Sequence, residues 1–194
     1  MADYVQGTSP KKNVKYTYAD YLTWPDDERW ELINGIAYGM SPAPKTGHQR
    51  LSRELSCAIF NFLDDKSCEA FSAPFDVKLS EETIVQPDIS VICDASKIDD
   101  KGCNGAPELA IEILSDSTAY KDETEKRLLY EKHGVLEYWI INPGLPELIK
   151  FTRGKNGFEK PQHLSKDEIL TSEVLEGFEL PLDKLFSSLG NKGE

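Results

Sequence analysis

Apolar and polar positions along this chain alternate with short periods near its start and condense into solid runs near its middle. Thr17-Tyr18-Ala19-Asp20-Tyr21-Leu22 reads as a short helix capped by Thr17 and stopped by Pro25. Arg29-Trp30-Glu31-Leu32-Ile33 reads as a strand. Asn34-Gly35 is a tight hairpin turn, because both residues tolerate positive φ, and Ile36-Ala37-Tyr38-Gly39-Met40 is the return strand. Ser41-Pro42-Ala43-Pro44 is a rigid loop. From His48 to about Asp64, Leu51, Leu55, Ala58, Ile59, Phe62 and Leu63 fall on one face of a helix.

Phe75-Asp76-Val77-Lys78-Leu79 alternates as a half-buried strand does. Ile89 to Cys93 and Glu108 to Leu114 are denser, which predicts central strands covered on both faces. Asp94 to Gly105 is the charged loop between them. Asp122 to His133 is a helix with Gly134 as its C-cap. Glu137 to Ile141 is a further strand, ended by Asn142-Pro143-Gly144, and Glu147 to Thr152 pairs with it or follows it. A weak strand near Gly157-Phe158 and a short helix over Leu182 to Leu189 look peripheral. The sum is one α/β (α+β) domain, a mixed sheet flanked by helices.

The 194 residues suffice for one ordinary core, and 39% hydrophobic with 10% aromatic residues argues for a globular chain. No apolar run is long enough to span a bilayer, and the opening MADYVQGTSPKKN has no secretory core, so a cytoplasmic protein is expected. Cys57, Cys68, Cys93 and Cys103 show no C-x-x-C spacing, which predicts free thiols and no disulfide framework. The net charge of −12 excludes a general nucleic-acid coat, because phosphate affinity comes mainly from Lys and Arg. The acidity is uneven: residues 61–115 carry four Lys+Arg against twelve Asp+Glu, a balance of −8.

Glu112 is a charge inside an apolar strand, Leu109-Ala110-Ile111-Glu112-Ile113-Leu114. An unpaired buried carboxylate costs several kcal/mol or neutralises itself, roughly, so its presence needs a reason. Alternation puts Ala110, Glu112 and Leu114 on one face and Leu109, Ile111 and Ile113 on the other. Asp88 follows Val85-Gln86-Pro87 at the head of a neighbouring strand. Two such hard oxygen donors suit Mg²⁺ or Mn²⁺, which keep several waters and bind few carboxylates. Lys126 could orient an attacking water and offset charge on a phosphate. Taken singly, Glu112 reads as half of an ion pair and Asp88 as a turn residue; with Lys126 in reach, a site is the better reading. Glu31 could complete a metal shell or be edge polarity. His48 reads as a capping or packing residue. Arg50, Arg53, Lys121 and Arg127 could contact phosphates, with a solvated helix face the default for each, and Asp122 reads as a cap paired with Lys126. There is no G-x-S-x-G, glycine-rich phosphate loop or H-E-x-x-H.

Pro87-Asp88 followed by Glu112 on a strand resembles the PD-(D/E)XK nuclease superfamily. The ordered set resembles, more closely, the Uma-type restriction endonuclease family of bacteria, formerly a domain of unknown function. It comprises Arg29 to Gly35, Met40 to Pro44 with His48, Val85 to Asp88, Gly105 to Ser115, Asp122, Lys126, Tyr130 and Gly134 to Pro143. The resemblance implies a restriction-endonuclease-like core over residues 16–186, with flexible tails at 1–15 and 187–194. It implies metal ligands at Asp88 and Glu112, a catalytic lysine at Lys126 and a supporting acid at Glu31. In the superfamily pattern the lysine stands two residues after the second acid; here that position is Leu114.

Two function classes follow. One is a Mg²⁺- or Mn²⁺-dependent endonuclease acting on DNA, or on RNA or small nucleotides, which need fewer backbone contacts; it could pair into a homodimer to cut two strands. The other is an inactive nuclease-fold protein with a binding or regulatory role, as the charge and Leu114 suggest. A Trp139-centred dimer surface is weighed against burial of Trp139 in the core, and burial is expected.

Overall fold

Strand β9 (Leu109–Ile113) is the element around which the rest is arranged, and all five of its residues are buried. The computed structural model describes residues 9–11, 14–25, 27–40, 44–115 and 122–190. The remaining positions, including Ser41 to Ala43 of the expected rigid loop, Lys121 and the outermost tail residues 1–8 and 191–194, lie outside that description.

On one side β9 pairs antiparallel with β6 (Ile89–Ile92), in the register Ile89↔Ile111. On the other it pairs parallel with β10 (Glu137–Asn142), in the register Ile140↔Glu112. A parallel pair needs a crossover connection. Here the crossover includes a π-wound turn, Asp122–Lys126, that runs directly into helix α3 (Arg127–His133). Gly134 ends α3 at φ 95°, the left-handed C-cap predicted from the sequence. The sheet continues through β11 (Glu147–Gly154) and β12 (Gly157–Phe158), with β13 (Gln162–Ser165) also on β11, and ends beyond β6 at β3 (Glu69–Ser72).

The two faces of β9 feed two apolar clusters, as the alternation predicted. Leu109, Ile111 and Ile113 pack with Leu51, Leu55, Ile59 and Leu63 of helix α2 (Thr46–Leu63). Ala110 and Leu114 pack with Leu129, Tyr130, Val135 and Tyr138. Each large side chain buried this way contributes about 1.5–3 kcal/mol. Trp139 is fully buried in the α2-side cluster, so it is core and not dimer surface.

A second sheet has the order β2 (Ile36–Gly39), β1 (Trp30–Ile33), β5 (Thr83–Val85), β4 (Val77–Ser80), β8 (Gly102–Asn104), β7 (Ile98–Asp99). The β1–β2 turn is Asn34-Gly35, with φ of 49° and 79° as the hairpin requires. Ahead of it lies helix α1 (Tyr18–Tyr21), whose Thr17 N–H and hydroxyl both donate to Asp20.

Three expectations are corrected. The stretch Asp94 to Gly105 is not only a loop: it holds a 3₁₀ turn, Ala95–Lys97, and the β7–β8 hairpin. That hairpin closes because Gly102, at φ 136°, lets the backbone lie against the Asp76 carbonyl, where a Cβ would come within 2.2 Å. The C-terminal region is not peripheral. Leu170, Leu175, Phe178, Leu182, Leu185 and Phe186 are buried in the α2-side cluster, carried by β14 (Ile169–Thr171), β15 (Glu179–Pro181) and helix α4 (Leu182–Ser187). The expectation of free thiols fails for two cysteines, because Cys68 and Cys93 form a disulfide. The register Glu69↔Ile92 between β3 and β6 makes them facing neighbours just beyond the paired residues, which spacing along the sequence could not reveal. Cys57 (exposed) and Cys103 (buried) are free. Among the described residues no helix is long and apolar enough to cross a membrane.

Because Phe178 stacks at 6.2 Å on Trp139 and meets Phe62 edge-on at 5.3 Å, Phe178→Ala should cost about 3–5 kcal/mol of unfolding free energy in urea. A loss below about 1 kcal/mol would return this region to the periphery.

Candidate active site

Glu112 leaves β9 on the α3 side of the sheet and is 4% exposed. Lys126, equally buried, closes the π-wound turn above it. Its Nζ lies 2.7 Å from Glu112 Oε1 and 2.8 Å from Glu31 Oε1 on β1. Tyr130, one turn further along, donates its hydroxyl to the same Glu112 Oε1 at 3.0 Å. Glu31 is also 4% exposed and accepts the Gln86 main-chain N–H at 3.3 Å. The crossover, required by parallel pairing, thus brings a cation back over the strand. One ammonium links a carboxylate from each sheet. Among the described residues, this ammonium faces two carboxylates, Glu112 and Glu31.

Asp88 precedes β6 by one residue. Continuing the β6–β9 register puts it opposite Glu112, at the same end of the strand pair. Its Oδ2 accepts the Ile113 N–H at 2.8 Å and meets His48 Nε2 at 3.1 Å. Its Oδ1 makes no hydrogen bond to any described residue, and the side chain keeps 18% of its exposure. His48 is therefore more than a cap. The cap position is Lys45, and His48 lies in the buried stripe with Leu51, Leu55 and Ile59. That helical spacing was the available signal, since a histidine inside an apolar stripe points inward.

A third group stands behind the acids. Gln86 accepts Arg29 Nε at 3.1 Å and Nη2 at 2.7 Å on Oε1, and donates from Nε2 to Asp76 Oδ1 at 2.8 Å. The Tyr21 hydroxyl donates to the same Asp76 oxygen at 3.0 Å. Burial pushes the Asp76 carboxyl above its ordinary range, opposed by these bonds and by Arg29. Burial and the nearby Asp76 charge push the Tyr21 phenol up as well. Sequence reasoning passed over Arg29, Asp76 and Tyr21 as site members because each is an unremarkable polar residue in its own segment.

The arginines weighed as phosphate contacts sit elsewhere. Arg50 donates to the Leu189 carbonyl, Arg53 pairs with Glu54 on an exposed face, and Arg127 lies 3.6 Å from Glu131. The expected Asp122 cap involves a side chain outside the described residues. Leu114, where the superfamily pattern has its lysine, is buried in the apolar cluster.

Among the described residues no three His, Cys, Asp or Glu side chains converge as a ready-made metal cage. The donor set still fits a hard divalent ion. Mg²⁺ is held by one or two carboxylates and its own waters, and Asp88 Oδ1 and the Glu112 carboxylate are such donors at one strand end.

Residues 18–183 match the model of the Uma2 family, described as "Putative restriction endonuclease". The chain is 28% identical over 130 residues to the uncharacterised protein slr1290 of Synechocystis, covering 66% of this chain and 68% of that protein. Its fold matches the crystal structure of a protein from Anabaena variabilis titled a putative nuclease belonging to DUF820. The TM-score is 0.75 at 23% identity, over 89% of this chain and 98% of that one.

Two outcomes test the geometry. Lys126→Met removes the ammonium that Glu112 and Glu31 share and should destabilise the protein by about 3–5 kcal/mol in chemical denaturation. Asp76→Asn should do the opposite at neutral pH. Because burial raises the folded Asp76 value above its ordinary 3.8, the folded state holds the proton more tightly, and ionisation at higher pH opposes folding. The asparagine retains an Oδ1 acceptor without the charge. Its advantage in Tm should therefore be full above the folded value, shrink as pH falls toward 3.8 and vanish below it.

Proposed function

The chain belongs to the Uma2 family, and from that premise we propose that it is a Mg²⁺- or Mn²⁺-dependent endonuclease hydrolysing phosphodiester bonds of DNA. The observation that carries this reading is the Lys126 ammonium, held between Glu112 and Glu31 although position 114 is leucine. The residue type that the pattern expects on the strand is supplied from the crossover.

In this reading Asp88 and Glu112 are the metal ligands. A divalent ion bound there would polarise the phosphodiester and lower the pKa of an attacking water. The chain's own residues do the rest. Lys126 presents an N–H to the attacking water and offsets charge developing on the phosphate. Glu31 keeps Lys126 aimed. Tyr130 and the Ile113 N–H fix the Glu112 and Asp88 oxygens, so the ligands pay little ordering entropy when the ion arrives. Glu31 is the supporting acid, and to ligate the ion through Oε1 it would have to give up Lys126. A bacterial host, a cytoplasmic location and pairing into a homodimer to cut both strands belong to the same proposal.

The net charge of −12 favours a second reading, a nuclease-fold protein that binds without cleaving. Incubation with supercoiled plasmid and Mg²⁺ or Mn²⁺ separates the two. The endonuclease reading expects metal-dependent nicking, reduced about 10²–10³-fold by Lys126→Met and abolished by Asp88→Ala or Glu112→Gln. Nicking that survives both acid substitutions sinks the assigned site, and nicking absent at every metal concentration favours the binding protein.

A further inference from the structure

We infer that Gln86 is a positioning residue for the two-sheet acid cluster, locked in place by Arg29 and Asp76. The inference rests on the proposed metal site and adds a residue to its support. Gln86 is 8% exposed and stands two residues before Asp88, at the point where the chain leaves β5 for β6. Its amide has one workable orientation. Oε1 faces the guanidinium of Arg29, which can only donate, and Nε2 faces the carboxylate of Asp76. Flipping the amide would set a carbonyl against a carboxylate and an N–H₂ against a guanidinium.

Each end of that clamp is itself held. Asp76 Oδ1 takes the Tyr21 hydroxyl from α1, and the Asp76 main-chain carbonyl takes the Cys103 N–H of β8 at 2.8 Å. Arg29 borders β1, and its carbonyl accepts the Met40 N–H at 2.9 Å beside the return strand. The side chain of Gln86 is thus fixed from α1, β1 and the start of β4. Its main-chain N–H donates to Glu31 Oε1, the same oxygen that takes Lys126 Nζ.

Two consequences act on the site. The N–H bond restrains the Glu31 carboxylate, and through it the ammonium shared with Glu112. The locked side chain also sets the path of the next two residues, with Pro87 limiting φ, so that Asp88 reaches the Ile113 N–H and His48. Gln86 touches neither a reacting atom nor a metal ligand through its side chain. It acts by holding Glu31 and Asp88 in one frame, although they come from different sheets.

The test compares Gln86→Met, Asp76→Ala and Asp76→Asn with the parent full-length protein. Mn²⁺ affinity is read by calorimetry, plasmid nicking is split into kcat and KM, and Tm is followed in parallel. Groups bonded directly to metal ligands are worth about 10–100-fold in metal affinity or activity, and Gln86, one contact further out, should act at the lower end of that range, about 10-fold. Gln86→Met should therefore weaken Mn²⁺ binding and kcat by about that factor, with plasmid KM unchanged. Asp76→Ala should do likewise, while Asp76→Asn, which keeps the acceptor for Gln86 Nε2, should stay near the parent. If Gln86→Met does not fold, the contrast between the two Asp76 variants gives the same answer. A lower Tm with parental Mn²⁺ affinity and kcat in the folded variants overturns the inference and leaves a purely structural clamp. A parent that binds no Mn²⁺ and nicks nothing overturns the metal-nuclease reading, and the positioning role with it.

Discussion

One ammonium, that of Lys126, joins the two sheets. It reaches Glu112 on β9 and Glu31 on β1, and all three side chains are nearly closed to water. A buried ion triad of this kind is a poor way to gain stability, because the desolvation cost of three charges offsets most of their attraction. Apolar side chains of similar volume would hold the same elements at least as well. Charge at that point is what the proposed metal site requires, and folding alone does not require it. The surrounding hydrogen bonds follow from this constraint: Tyr130 on Glu112 Oε1, the Gln86 N–H on Glu31 Oε1, and the Ile113 N–H with His48 on Asp88. They supply hydrogen-bond partners to carboxylate oxygens held away from water.

The frame that carries these groups is apolar and built on both sides of β9. Helix α2 and the C-terminal elements cover one face; α3 and Tyr138 cover the other. Close packing keeps the strand ends in register, and so keeps Asp88 opposite Glu112. The net charge of −12 would draw a divalent ion and would repel nucleic acid from most of the surface. That contrast is why the metal and the nucleic-acid parts of the proposal are tested separately.

Much of the frame was legible in the residues alone. The Asn34-Gly35 turn, the α2 stripe, the dense runs of β6 and β9 and the Gly134 cap are local signals, fixed by φ preferences and by two periodicities. Glu112 stood out because a charge interrupted an apolar strand. Other features were hidden for stated physical reasons. The β7–β8 hairpin depends on Gly102 lying against the Asp76 carbonyl, a contact far apart in sequence. The burial of Leu170 and Phe178 depends on α2 being there to receive them. The Cys68–Cys93 bond depends on the register of β3 with β6.

The sequence by itself determined the Asn34-Gly35 turn, the α2 and α3 helices and the central strands β6, β9 and β10, which face of β9 carries Glu112, and that Asp88, Glu112 and Lys126 were the residues to watch. It could do so because backbone preference and side-chain alternation act over a few residues. Only the tertiary structure decided that Lys126 returns to Glu112 and takes Glu31 as well, that His48 meets Asp88 rather than merely capping a helix, and that Gln86 stands between Arg29 and Asp76. Those contacts join residues 10 to 95 positions apart, and no local rule sets the path of a crossover or the register of strands from different sheets.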